Sequence, residues 1–347
     1  MPFRDLIDQA HAVLLLRTAA RSGRISHAYL FAGPEGVGRF DAAVAFAQLL
    51  NCERPAGEDA CGECRACRRI AEGRHPDVRV VDVERGLLLD PDDKTKTAIG
   101  IDQVRALRRD VSFPPLEGRS KVYILARADR MLPEAANSLL KILEEPPPHV
   151  VIILIAETTV PMLPTVVSRC QLVRFSLVPT PAVEQALIQR LGLDPGRARF
   201  IAALAGGQLG RAMTWAGSAE ALQWRDQVLD LLERLETADP LERMDAAEAF
   251  SKDRDRVADL LDAAVFWYRD LLVWQETHEE KHLINLDRRA RVAAVAATVP
   301  GAVLSARIAA VEEAKEALRS NAHPRLLLEH LFLRVTPPTQ PAAGRRP

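Results

Sequence analysis

Cys52, Cys61, Cys64 and Cys67 fall within sixteen residues, separated by eight, two and two positions. Two turns of the C-x-x-C kind gather thiolates. The polar stretch 53–60 is long enough to fold the first cysteine back onto the other three. Four sulfurs at about 2.3 Å satisfy tetrahedral zinc and leave no open position for a substrate, so such a zinc would be structural. An iron–sulfur cluster takes four thiolates as well, and a set of unligated cysteines on a helical excursion is the plainest alternative. Nothing else in the chain suggests electron transfer, which favours zinc. Cys170, about a hundred residues away, reads as a small packing residue.

The second chemical feature is residues 33–40, GPEGVGRF. A phosphate-binding loop has the frame Gly-x-x-x-x-Gly-Lys-[Ser/Thr], with backbone amides around the phosphates, lysine on the outer oxygens and a hydroxyl on magnesium. Gly33, Gly36 and Gly38 can still make the turn and its amide-lined concavity. Arg39 stands where lysine belongs, with a planar fork in place of a point charge. Phe40 replaces the magnesium hydroxyl. The acidic pair expected after an apolar strand at 122–125 is also missing. Ala126-Arg127-Ala128 follows, and Asp129 comes three residues late. This chain is expected to bind no ATP and to hydrolyse none.

These groups need a scaffold. Residues 27–32 form an apolar segment running into the loop, and Phe40, Ala43, Val44, Ala47 and Leu50 recur at helical spacing after it. Further apolar segments at 78–83, 122–126, 150–156 and 171–175 predict a five-stranded parallel α/β sheet. Residues 151–155 do not alternate, as in a central strand covered on both faces. Helices are predicted at 101–109 and 133–145, the latter stopped by three prolines with Glu144 and Glu145 ending a solvated face. Residues 86–98 read as an exposed loop. After Pro179 the patterning is helical throughout. The predicted organisation is an α/β domain at 1–176 with the cysteine module at about 51–70, a small helical lid at 177–217 and a helical domain at 221–336. A proline-rich, disordered tail at 337–347 completes it.

At 347 residues the chain has room for several domains. Forty-six basic against forty-seven acidic residues argue against a freestanding nucleic-acid binder. The longest apolar run, 150–156, is far short of a membrane span, and no apolar leader opens the sequence, so a cytoplasmic protein without membrane contact is expected. The cluster in a reducing compartment favours metal over disulfides.

Taken together the residues resemble the AAA+ clamp-loader subunits of bacterial DNA polymerase III, on the delta-prime branch. The resemblance runs from Ser26-His27-Ala28-Tyr29-Leu30-Phe31 through the altered loop and the four cysteines to Lys121-Val122-Tyr123-Ile124. It continues through Asn137-Ser138-Leu139-Leu140-Lys141-Ile142-Leu143-Glu144-Glu145-Pro146-Pro147 and Ser168-Arg169-Cys170. It covers about residues 1–217 at motif level and extends more thinly to a helical collar. It implies an AAA+ P-loop-type fold with an inserted zinc module, and a role for Arg169 as a finger reaching the ATP of a neighbouring subunit, supported by Ser168. It also implies gamma/tau and delta subunits, the beta sliding clamp and primed DNA as partners. ATP would be bound and hydrolysed in the neighbours, and no residue set here joins nucleotides. The ATP-hydrolysing paralogues carry Lys-Thr and Asp-Glu pairs where this chain has Arg39-Phe40 and Ala126-Arg127. Their lid arginine corresponds to Gly210, with Arg211 one residue late. Two other readings stay open: an active gamma-like motor in which Arg39 binds phosphate, and a structural zinc protein that only binds partners.

Overall fold

A computed structural model describes residues 2–81, 99–319 and 322–335. The expected loop at 86–98 and the expected tail at 337–347 lie outside the described residues. The rest divides into two compact units, one comprising the described residues up to Ala182 with Gly207–Gly210, the other Val183–Gly206 with the described residues from Arg211 onward.

The first unit alternates strands and helices: α1 (Ala10–Ser22), β1 (Ala28–Ala32), α2 (Arg39–Asn51), α3 (Arg65–Ala71), β2 (Val78–Val81), α4 (Ile101–Asp110) and β3 (Lys121–Leu125). It continues with α5 (Pro133–Glu144), β4 (Val150–Ala156), α6 (Pro164–Val167) and β5 (Gln171–Arg174). The five strands form one parallel sheet in the order β2-β3-β4-β1-β5, with Leu30 beside Leu154 on one side and Leu172 on the other. All seven residues of β4 are buried. A central parallel strand has helices over both faces, which is why VVIILIA shows no alternation.

Each face has its own core. Tyr29, Phe31 and Ile153 pack with Ala43, Phe46 and Leu50 of α2, and Phe3 closes that layer. Leu30, Ile152 and Leu154 pack with Leu107 of α4 and with Leu139 and Leu143 of α5. The parallel sheet therefore sets the carboxyl ends of β1 and β4 side by side, carrying the phosphate loop and Glu157, while the turn preceding β5 enters that strand at its amino end, on the opposite edge of the sheet.

The second unit is helical. After α7 (Thr180–Leu191), whose first residues belong to the first unit, come α8 (Pro195–Leu204), α9 (Leu209–Ala216), whose first two residues also belong to the first unit, α10 (Ala219–Leu235), α11 (Pro240–Phe250) and α12 (Arg254–Thr277). The described residues close with α13 (Arg289–Ala296), α14 (Gly301–Arg319) and α15 (Pro324–Val335). Leu260, Trp267, Tyr268, Leu304, Val311, Leu328 and Phe332 are buried among them. A buried arginine braces this unit: Arg225 makes a two-pronged pair with Asp287 at 2.6 and 2.7 Å and lies 4.5 Å from the ring centre of Phe200. Among the described residues no helix is long and apolar enough to cross a membrane.

Candidate functional site

The cysteine cluster forms where α2 ends. Asn51 is its last residue, Cys52 follows in extended conformation, and Cys64 caps α3, which carries Cys67. All four sulfurs lie within 4.8 Å of one another; Cys52 Sγ is 3.6 Å from Cys61 Sγ, and Cys61 Sγ is 4.0 Å from Cys67 Sγ. Tetrahedral zinc–sulfur bonds place sulfurs about 3.8 Å apart, so the spacing fits such an ion. Backbone amides point at the sulfurs: Cys61 N to Cys52, Cys64 N to Cys61 and Cys67 N to Cys64, at 3.3, 3.3 and 3.4 Å. The amides of Glu63 and Cys64 bring the Cys61 thiol down to about 6, whereas burial pushes those of Cys52 and Cys67 up. A cation is the natural counter-charge for a thiolate set that is partly removed from water. The cluster can therefore hold a metal ion.

Its surroundings contain contacts that cysteine spacing alone does not reveal. The Asp59 carboxylate accepts from the amides of Phe3, Arg4 and Ala60 and pairs with Arg17 at 2.9 Å, tying the start of the chain to the cluster loop. Asn51 Oδ1 accepts from the amides of Arg119 and Ser120, and Arg119 donates to the Cys52 carbonyl. Asp77 accepts from three successive amides, Leu116, Glu117 and Gly118, at 2.7–2.8 Å. Burial alone would raise the Asp77 pKa, but those three donors leave it below its ordinary value. Cys170 is apart from the cluster, packed on the α5 side of the sheet with its thiol pushed up to about 12 by burial.

The phosphate loop adopts its turn between β1 and α2. Gly33 has φ +155°, and a Cβ there would fall 2.3 Å from the Phe175 carbonyl oxygen, so the loop's entry requires glycine. Gly36 and Gly38 also have positive φ, and Arg39 opens α2. Arg39 is only 8 % exposed, and its Nη1 is buried without a hydrogen-bond partner. Burial lowers its pKa, while Glu157, Asp129 and Glu35 act to raise it. Asp129, which comes too late in the sequence to stand as a magnesium ligand, thus serves as a counter-charge to Arg39. Phe40 is partly exposed.

Over this turn sits Gly210, whose amide donates to the Gly36 carbonyl at 2.7 Å. A Cβ on Gly210 would lie 3.2 Å from the Gly36 Cα, tighter than side chains normally tolerate. Arg211 is engaged elsewhere, paired with Asp259 and lying 5.8 Å from the Trp215 ring centre.

Ser168 and Arg169 occupy the turn from α6 into β5. Ser168 Oγ donates to the Thr165 carbonyl at 3.2 Å, and Arg169 Nη1 donates to the same oxygen at 3.0 Å. Arg169 Nη2 lies 2.9 Å from Glu144 Oε1, and its side chain remains 37 % exposed. Glu144 ends α5 as the sequence pattern requires, but its carboxylate has this partner besides solvent. The predicted site residues thus fall into three separate groups: the four cysteines, the glycine loop with Arg39, and Ser168 with Arg169.

Comparison with known proteins adds a family to this geometry. Residues 8–179 match the family model described as DNA polymerase III, delta subunit, and residues 219–336 match its C-terminal counterpart. The delta-prime subunit of DNA polymerase III from Bacillus subtilis is 34% identical over 328 residues, covering 94% of this chain and 95% of that protein. The chain belongs to the DNA polymerase III delta-subunit family, as a delta-prime-type member. The Pseudomonas aeruginosa delta-prime subunit is 34% identical over 265 residues, 76% of this chain and 77% of its own length. The B. subtilis tau subunit is 28% identical across 99% of this chain, which spans 63% of that protein. Among solved structures, a gamma-subunit-related protein from Thermotoga maritima covers 92% of the chain and 98% of its own, with 20% identity and a TM-score of 0.40. The delta-prime-type assignment agrees with the resemblance carried by the motifs of residues 26–170.

Proposed function

We propose that this delta-prime-type chain is a non-motor subunit of the DNA polymerase III clamp loader, helping to place the beta sliding clamp on primed DNA. It supplies Arg169 to ATP held by a neighbouring gamma/tau subunit, beside a delta subunit, and carries one structural zinc on Cys52, Cys61, Cys64 and Cys67. The observation that carries this reading is a contrast between two arginines. Arg39, in the chain's own loop, is buried with the charges of Glu157, Asp129 and Glu35 acting on it, whereas Arg169 is partly exposed on a turn anchored at both its residues.

An arginine presented to a transferring phosphoryl group neutralises charge that develops on its oxygens. Ser168 would support it by sharing the Thr165 carbonyl and so holding the turn. In this chain's own loop, the Gly210–Gly36 bond brings the lid segment onto the turn where paralogues place an arginine. That contact speaks against the gamma-like motor, and the exposed Arg169 speaks against a purely structural zinc protein. Four sulfur ligands leave no place for substrate, so a zinc here would brace the end of α2 and the start of α3. The α/β domain at 1–176, the lid at 177–217 and the helical collar at 221–336 remain the organisation we propose, with the collar joining subunits and the whole working in the cytoplasm.

The buried Arg39 Nη1 favours one addition: the loop retains affinity for a phosphate anion without turnover. The test of the main reading is reconstitution with gamma/tau and delta subunits, measuring clamp loading and DNA-stimulated ATP hydrolysis with and without Arg169. Equilibrium binding of inorganic phosphate to the isolated chain and to Arg39→Ala tests the addition.

A further inference from the structure

Arg169 has one partner that its local turn does not explain. The bond to Thr165 joins residues four apart and follows from the fold of α6 itself. The pair with Glu144 spans two elements: α5, ended before Pro146-Pro147-Pro148, and the turn after α6. Both side chains are open to water, 37 % and 50 % exposed, so the pair does not fill a core.

A guanidinium offers its two outer nitrogens as a planar fork, and carboxylate and phosphate compete for the same fork. In this chain both nitrogens already have acceptors, Nη1 the Thr165 carbonyl and Nη2 the Glu144 carboxylate. A phosphate that grips the fork bidentately uses Nη2 and so competes with the Glu144 carboxylate for it. Solvent-exposed ion pairs are weak, so an oxyanion of higher charge can win that exchange.

We propose that Glu144 is a positioning residue for Arg169, holding its outer nitrogen until a neighbouring subunit's outer phosphate displaces the carboxylate. This rests on the reading of Arg169 as a trans arginine. The carboxylate restricts the long side chain to one arrangement and makes its engagement conditional on phosphate. Without Glu144 the arginine reaches a neighbouring site more readily and less selectively.

The test uses the isolated chain and the reconstituted complex. In the isolated chain, Glu144→Gln should speed rotation of the Arg169 guanidinium, read by NMR of its nitrogens, with the fold and metal content unchanged. In the complex, the same change should raise ATP hydrolysis in the absence of DNA by about two- to fivefold, the range expected for a weak exposed pair. Adding Glu144→Gln to Arg169→Ala should give the rate of Arg169→Ala alone, an outcome that a purely structural role for Glu144 does not produce. Unchanged guanidinium rotation, or a DNA-independent rate that stays level or falls, overturns the proposal. If Arg169→Ala itself leaves hydrolysis unchanged, the trans-arginine reading fails and the proposal falls with it. If Arg169→Ala lowers hydrolysis but Glu144→Gln does not raise it, the exchange alone is wrong.

Discussion

The amide of Gly210 donates to the carbonyl of Gly36 at 2.7 Å, and a Cβ on Gly210 would press to 3.2 Å from the Gly36 Cα. Restoring the paralogues' arginine by Gly210→Arg therefore does not restore a nucleotide site. Forcing a side chain into this contact should cost about 1–3 kcal/mol, as overpacking does. Urea unfolding and ATP hydrolysis of the variant check both halves: lower stability and no gain in turnover are expected.

The cysteine cluster yields a prediction about metal. Elemental analysis should find one zinc per chain, and Cys64→Ser should release it and destabilise the first unit. Cys170→Ser sits outside the cluster and should leave zinc content unchanged. Stoichiometric iron, or a folded and reduced protein without metal, contradicts the assignment.

For Arg39 the expected outcome is a null in turnover. With Phe40 in place of a hydroxyl and Ala126-Arg127 in place of the acids, the isolated chain should hydrolyse ATP no faster than Arg39→Ala. Magnesium-dependent turnover abolished by that change would reinstate the motor reading.

Arg225 and Asp287 give a prediction for the helical unit. Arg225→Met removes both prongs and leaves Asp287 partly buried without them, a loss of about 3 kcal/mol near neutral pH. Burial raises the Asp287 pKa, but its bonds to Arg225 outweigh that and hold it below the ordinary carboxylate value. A depressed folded-state pKa means that this stability is fully present above the unfolded value, about 4, and is lost as pH falls through the folded value. The difference between Arg225→Met and the unmutated chain should therefore shrink on acidification below about pH 4, as measured by chemical unfolding across pH.

Much of the fold is legible in the sequence because its signals are local. The non-alternating run at 150–156, the glycines after 27–32 and the prolines after Glu145 each act on their own segment, and they specify β4, the loop and the end of α5. The cysteine cluster is legible for the same reason. What the sequence hides is partnership between distant segments. Glu144 lies 25 positions before Arg169, and its place at a helix end looks like ordinary solvation. Asp59 and Asn51 are likewise short polar residues whose several backbone partners come from elsewhere in the chain. Asp129 is similar: in the sequence it stands three residues past the place of the expected acid, while only the three-dimensional arrangement sets its charge against Arg39.

The central claim is that Arg169 acts on a neighbour's ATP, and the most direct measurement is DNA-stimulated hydrolysis and clamp loading by a reconstituted complex carrying Arg169→Ala. Assembly and zinc content should be unchanged, while hydrolysis and loading fall together by at least tenfold, as expected when a guanidinium is removed from a phosphoryl-transfer site. Arg169→Lys should recover little, because a point charge lacks the planar fork. A complex that assembles normally and loads clamps at the unmutated rate with unchanged hydrolysis would contradict the account.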